Sequence, residues 1–219
     1  MKIEYVQMKI EPMNTEALLE EDDLLAFIGN VAGECYNSSR DRDACIKRAL
    51  NCIKRGHHSP LEHYNITLKC LMDRGTSHAV VRHRHCAFQQ SSTIYQKYKD
   101  TLPIVELPDV DPVNGEIQRL DYEDEVMNAV YEKAFDAYTD LISKGMPPHR
   151  ARDVLPNALA TNLIITTNLR EYMFIMQRRT GPGDAIRMHA FAYLLRKLFE
   201  QCYPKLTAAF DEWYATHPL

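Results

Sequence analysis

No apolar run in this 219-residue chain approaches the roughly 20 residues that cross a bilayer. The opening MKIEYVQMKI lacks both a continuous apolar core and a small-residue cleavage site, so it does not read as a secretory signal. A cytoplasmic protein with no membrane partner is expected. A basic excess is missing too. Lys and Arg total 26 against 30 Asp and Glu, a formal net charge of −4, which argues against a nucleic-acid partner. The six cysteines, Cys35, Cys45, Cys52, Cys70, Cys86 and Cys202, include no C-x-x-C pair. Free buried thiols are expected, with no metal site. There is no Gly-rich phosphate loop, because TGPGD is a lone turn signal without the preceding strand, and no G-x-S-x-G elbow. Any phosphate has to be held by side chains.

What is present suits one globular domain, with 45% hydrophobic and 26% charged residues. Residues 2–10 alternate weakly and suggest an edge strand. Helical spacing of Leu18, Leu19, Leu25, Ile28 and Val31 predicts a helix over 15–36. Ala44, Cys45, Ala49, Cys52 and Ile53 mark the inner face of a second helix that stops at Gly56. Ile66, Leu68, Cys70 and Met72 alternate with polar residues and predict a strand, broken by Asp73-Arg74-Gly75. Thr76 or Ser77 then caps a helix that carries the basic run at 82–85. Residues 102–115, rich in Pro, Asp and Val, read as a mid-chain loop that extends over about 100–118. A helix follows over 121–144, with Val126, Val130, Ala134 and Leu141 inward. HRARDVLP opens a short helix, and LIITTN reads as a short strand or buried turn. The rest is helical from Leu169 to Phe210, interrupted at Gly181-Pro182-Gly183. The expected class is α+β, α-rich with a small antiparallel sheet.

Polar residues gather in four places. RGHHSPLEH is a surface turn or a polar binding loop; the spacing of His58 and His63 is not a helical metal pair. Arg82, His83, Arg84 and His85 stand together with no acid among them. Followed by Gln89, Gln90, Ser91, Ser92 and Thr93, they form a dense donor array that suits phosphate or a nucleotide. The plain alternative is a solvated basic face. Arg152 in HRARDVLP, and Asn168, Arg170, Arg178 and Arg179 in TTNLREYMFIMQRRTGPGD, would be unremarkable alone, since arginine near a helix end is usually a dipole or ion-pair partner.

Taken together the segments resemble a known family. R-H-R, seven residues, then Ser92 is similar to the signature of flavin-dependent thymidylate synthases. GHHSPLEH resembles that family's upstream turn, and ARDVLP and TTNLRE resemble its later blocks, in the same order. The resemblance runs over roughly residues 25–205. It implies the thymidylate synthase-complementing fold and a homotetramer with shared active sites. It also implies reductive methylation of dUMP, with FAD reduced by NADPH as hydride source and methylenetetrahydrofolate as one-carbon donor. Carried over residue by residue, it implies that Ser59, Glu62, Arg82, His83, Arg84, Gln90, Asn168 and Arg170 hold FAD. Arg82, Gln90, Ser91, Ser92, Thr93 and Arg152 would meet the nucleotide. Arg179 would face the uracil and favour ionisation at N3, a catalytic role, because a fixed cation stabilises charge that develops on the ring. Ser92 is read as a ligand, not a nucleophile, since nothing in the sequence supplies a positioned base.

The chain departs from the family pattern at several positions. Ile94 stands where an arginine usually precedes Tyr95, which removes a cation worth about 1.5–3 kcal/mol in a charge-assisted contact. Ser91 stands where glutamate is common, Ala79 where a glutamine or glutamate contacts the nucleotide, and Phe174 where a polar residue faces the flavin. Gly183 and Ala185 replace the usual His and Gln. Two other readings therefore stand beside the first: a different pyrimidine nucleotide modified by the same chemistry, and a non-catalytic flavin- or nucleotide-binding protein.

Overall fold

The computed structural model describes residues 2–13, 18–106, 108–110, 117–119, 124–180 and 183–218. Its centre is a four-stranded antiparallel sheet in the order β2-β3-β8-β4, formed by Lys9–Pro12, Asn65–Asp73, Ala160–Asn168 and Ala87–Gln90. The alternation read from the sequence is realised in β3. Ile66, Leu68, Cys70 and Met72 are buried and stand opposite Thr167, Ile165, Leu163 and Thr161 of β8. On the other face Thr67 and Thr166 share a hydroxyl hydrogen bond of 2.9 Å. Period-2 burial fixes this register, since a slip of one residue would turn the apolar set outward.

Five helices cover the apolar face: α1 (Glu21–Gly33), α2 (Arg42–Lys54), α6 (Leu169–Arg178), α7 (Ile186–Cys202) and α8 (Pro204–Thr216). The first two approach so closely that a Cβ on Gly29 would lie 1.8 Å from the Cys45 carbonyl oxygen. Tyr172 is fully buried, and its hydroxyl donates to the Ile66 and Ile165 carbonyls, pinning α6 to the sheet. A second, smaller core lies beside the sheet. There β1 (Lys2–Val6) pairs in parallel with β5 (Thr101–Val105), and Leu102 and Ile104 pack on Phe135 and Tyr138 of α4 (Asp124–Ser143). The backbone bond from Val105 N to Ala158 O, 2.9 Å, ties this ribbon to the approach of β8.

The class is the expected one, α-rich with a small antiparallel sheet, but several elements differ. The first helix starts at Glu21, not at residue 15. Leu18 and Leu19 precede it, and 14–17 lie outside the described residues. The segment expected as a loop contains β5, and residues 108–110 and 117–119 pair as an antiparallel hairpin, β6 with β7. Pro103 fits in β5 because the strand pairs regularly only with β1, and its other edge makes just an isolated bridge, Ile104 to Leu159. On α4, Val126 and Val130 face outward, while Tyr131, Phe135 and Tyr138, at i, i+4 and i+7, take the inner face. LIITTN is the end of a nine-residue central strand. The C-terminal helical region breaks again at Tyr203, where Pro204 opens α8; residues 181 and 182 lie outside the description. All six cysteines are free, but only Cys45 and Cys70 are buried; Cys35, in the turn after α1, is exposed.

Candidate functional site

Helix α3 (Arg74–Val80) ends before the basic run instead of carrying it, and its N-cap is Asp73, whose carboxylate accepts from Thr76 N at 2.8 Å. The chain then turns, with His83 N bonded to Val80 O at 3.0 Å. This turn separates the cluster: His83 points inward and is 5% exposed, while Arg82, Arg84 and His85 face solvent. Among the described residues neither the Arg82 nor the Arg84 guanidinium has a carboxylate partner.

Inside, His83 bridges two charged groups. Its Nδ1 lies 3.1 Å from Glu171 Oε1, and its Nε2 lies 3.0 Å from Arg179 Nε. Guanidinium nitrogens only donate, so Nε2 carries the lone pair and Nδ1–H donates to Glu171. The ring is therefore neutral. Burial lowers its pKa below the ordinary histidine value; the Glu171 hydrogen bond opposes that shift, and the Arg179 charge adds to it. Glu171 is set by the helix start, where Asn168 caps α6 and its Oδ1 accepts from Glu171 N at 3.0 Å. Arg179 follows the last turn of the same helix. It also donates to Asp184 Oδ1 at 3.0 Å and to the Ala79 carbonyl at 3.3 Å. Asp184 Oδ2 is buried without a hydrogen bond, 3.6 Å from Arg178 Nη1.

A cavity of about 490 Å³ opens beside this line, walled by Glu62, His85, Asn168, Arg170, Glu171 and Phe174. Arg170 pairs with Glu62 across its rim. Phe174, 44% exposed, packs edge-on against His83 with ring centroids 5.9 Å apart. An aromatic wall beside unpaired arginines suits a flat ring with an anionic tail.

Thr93 anchors a second group. Its hydroxyl accepts from Arg152 Nη1 at 3.2 Å and from Arg74 Nη1 at 3.0 Å. Ser91 and Ser92 are half-buried just before it, and Ser92 Oγ accepts from Ile94 N at 3.2 Å. Gln90 points into the body of the protein, where its Nε2 donates to Ser77 Oγ at 2.9 Å and Thr161 Oγ1 at 3.3 Å. Ser59 stands apart. It lies on the 3-10 turn Ser59–His63 and lines a different, larger cavity of about 1050 Å³ against α1 and α2.

His83 and Arg179 thus meet, as do Glu62, Asn168 and Arg170, and Glu171 joins the two sets. Three residues escaped the sequence reading: Glu171, Asp184 and Arg74. Only Glu171 left a signal, the Asn-x-x-Glu spacing of a capping box from Asn168.

The thymidylate synthase complementing protein family matches residues 17–205. A flavin-dependent thymidylate synthase of Geobacter sulfurreducens is 31% identical over 153 residues, 69% of this chain and 63% of that protein, so the aligned part spans just under two thirds of that relative. One from Corynebacterium glutamicum is 30% identical over 204 residues, 88% of this chain and 79% of that protein. Among solved structures, the UMP/dUMP methylase PolB of Streptomyces cacaoi bound with 5-Br dUMP superposes with a TM-score of 0.74 at 19% identity, covering 96% of this chain and 97% of that one. The same methylase bound with 5-Br UMP gives 0.72 at 20%, covering 97% and 98%.

Proposed function

Because this chain belongs to the flavin-dependent thymidylate synthase family, we propose that it methylates C5 of a pyrimidine nucleoside monophosphate, dUMP foremost. The observation that carries this reading is the buried line Glu171–His83–Arg179, which holds the arginine of the later block against the histidine of the R-H-R block. FAD fits the residues present. Arg82 and Arg84 offer two unpaired cations for a pyrophosphate, and Phe174, Asn168, Arg170 and Glu62 surround a cavity at the same turn. Ser59, in a separate cavity, and Gln90, turned inward onto Ser77 and Thr161, are assigned to FAD by the family resemblance alone. When bound, FAD reduced by NADPH supplies hydride, and methylenetetrahydrofolate supplies the one-carbon unit.

The chain's own residues orient and charge the site. Arg179 is braced by His83, Asp184 and the Ala79 carbonyl, so its charge is fixed before substrate arrives. A fixed cation against the pyrimidine ring stabilises negative charge as it develops, without reorganising during the reaction. Neutral His83 holds that cation through its Nε2 lone pair while its Nδ1–H donates to Glu171. The nucleotide is assigned to Arg152 and Thr93, which share a hydrogen bond of 3.2 Å, and to Ser91 and Ser92 just before Thr93.

A homotetramer with shared sites belongs to the same reading. Support comes from Val126, Met127 and Val130 on α4, which are 71%, 43% and 51% exposed in the single chain, an apolar patch that a second subunit would cover. The second substrate reading is UMP. It is favoured by the likeness to a methylase described for both UMP and dUMP.

Replacing Arg179 tests the assignment. Arg179→Ala should keep its flavin and lose product formation, and Arg179→Lys should recover part of it. Unchanged turnover in Arg179→Ala would refute the catalytic role.

A further inference from the structure

The cavity rimmed by Glu62 and Arg170 joins two segments 108 positions apart. The turn Ser59–His63 supplies Glu62, and the start of α6 supplies Arg170, Glu171 and Phe174. Directly between the segments run the backbone bond from Leu169 N to Tyr64 O, 3.2 Å, and the Arg170–Glu62 pair. Both side chains of that pair are exposed, so it holds the walls weakly.

One turn near the end of α8 fastens both segments. Trp213, the only tryptophan of the chain, packs edge-on against the His58 ring with centroids 4.6 Å apart. Gly56 lies against the same indole. Its φ is +77°, and a Cβ there would stand 3.1 Å from Trp213 Nε1. Glu212 pairs with Lys54 at 2.7 Å. The next residue after Trp213 turns to α6: the Tyr214 hydroxyl donates to the Met173 carbonyl at 2.5 Å, and the His217 carbonyl accepts from Gln177 Nε2 at 2.8 Å. None of these α8 residues is among those that wall the cavity.

His58 passes the contact on. It is buried, and its Nε2 lies 3.0 Å from the Ile53 carbonyl oxygen. A carbonyl only accepts, so Nε2–H donates and the ring is neutral with its lone pair on Nδ1. Burial lowers its pKa below the ordinary histidine value, and the Ile53 bond opposes that shift. His58 immediately precedes the turn, and its own carbonyl accepts from Leu61 N at 3.0 Å. The ring is gripped between the end of α2 and the indole, which in turn stacks on His217 with centroids 4.8 Å apart. Fixing that ring fixes where the turn begins, four residues before Glu62.

We infer that Trp213 is a positioning residue for the flavin: through His58 it holds the Glu62 turn in place against Arg170 of α6. The inference rests on the proposed reading that this cavity takes FAD. A ligand that meets a preset wall does not have to order it on binding. Without the indole the turn takes other positions, and apparent affinity falls with the fraction that remains competent.

The test is loss of FAD from the loaded protein on dilution, followed by the rise of free-flavin fluorescence well below each melting temperature. Wild type, Trp213→Ala, Trp213→Phe, His58→Gln and the double variant Trp213→Ala/His58→Gln are compared. Phe135→Leu, in the second core, serves as a variant destabilised elsewhere. Trp213→Ala should weaken FAD by about tenfold, the effect of a competent fraction reduced to about a tenth. His58→Gln keeps a donor for Ile53 but loses the ring, so it should weaken FAD similarly. The double variant should lose no more than either single change, because the two residues act in series. Trp213→Phe, which keeps an aromatic edge contact, should recover most of the affinity, and Phe135→Leu should hold FAD as wild type does. Should Trp213→Ala fail to fold, His58→Gln and Trp213→Phe carry the comparison. Wild-type FAD release from Trp213→Ala or His58→Gln would overturn the inference. So would additive losses in the double variant, or an equal loss in Phe135→Leu. A wild type that binds no FAD refutes the flavin reading and the inference with it. A wild type that holds FAD through Trp213 yet forms no methylated nucleotide refutes the proposed reaction and leaves the positioning role standing.

Discussion

His83 Nε2 accepts from Arg179 Nε at 3.0 Å, and that contact fixes the protonation of a buried imidazole. A protonated Nε2 would turn a hydrogen against a permanent cation. The folded state therefore resists protonating His83, as its lowered pKa records, with burial the largest cause. The unfolded chain takes up the proton at an ordinary histidine pKa near 6.5. Between the lowered and ordinary values the unfolded state binds more protons, so stability is present above about pH 6.5 and falls as pH drops. Urea midpoints from about pH 8 to about pH 5 should decline, and less steeply in His83→Gln. His58 has a lowered pKa from burial too, so the difference between the two profiles is the diagnostic. Identical slopes would remove His83 from the account.

Flavin retention depends on the exposed side of the same turn. Arg82→Ala and Arg84→Ala should each weaken FAD by about 10- to 150-fold, the range for a charge-assisted hydrogen bond, and yield colourless protein after gel filtration. Full yellow occupancy in both would show that the turn is not the FAD clamp.

Much of this site could be read from the chain, and the limits have physical causes. Strand β3 was legible because one face is buried and the other is not, which writes a period of two into the residues. The end of α3 was not. Nothing local distinguishes a helix that carries Arg82–His85 from one that stops at Val80; the inward turn of His83 depends on Glu171, 88 residues away. Helix α4 carries two apolar stripes, and the sequence does not say that Tyr131, Phe135 and Tyr138 would fill the core ahead of Val126 and Val130. Arg74 looked like part of a strand break, because its partner Thr93 is 19 positions on and across a turn.

Restoring the missing cation bears on substrate preference. Ile94 is 43% exposed, so arginine fits there without disturbing the core. Ile94→Arg should tighten dUMP by about tenfold, near the lower end for a charged hydrogen bond. Unchanged affinity for dUMP and UMP would remove Ile94 as a determinant of nucleotide binding.

The fold makes its own demand at Gly29. A Cβ there would meet the Cys45 carbonyl carbon at 2.4 Å as well as its oxygen at 1.8 Å, and the obstacle is backbone. Gly29→Ala should cost about 3 kcal/mol through overpacking and lower the melting temperature by about 6–12 °C. A variant that melts with wild type would contradict the close α1–α2 approach.

The most direct test of the central claim is an anaerobic reaction of the wild-type protein with FAD, NADPH, methylenetetrahydrofolate and dUMP, with products read by mass spectrometry, followed by UMP in place of dUMP. The account predicts a pyrimidine monophosphate heavier by one methylene, with dUMP the better substrate. Yellow, NADPH-reducible protein that leaves both nucleotides unchanged would contradict it.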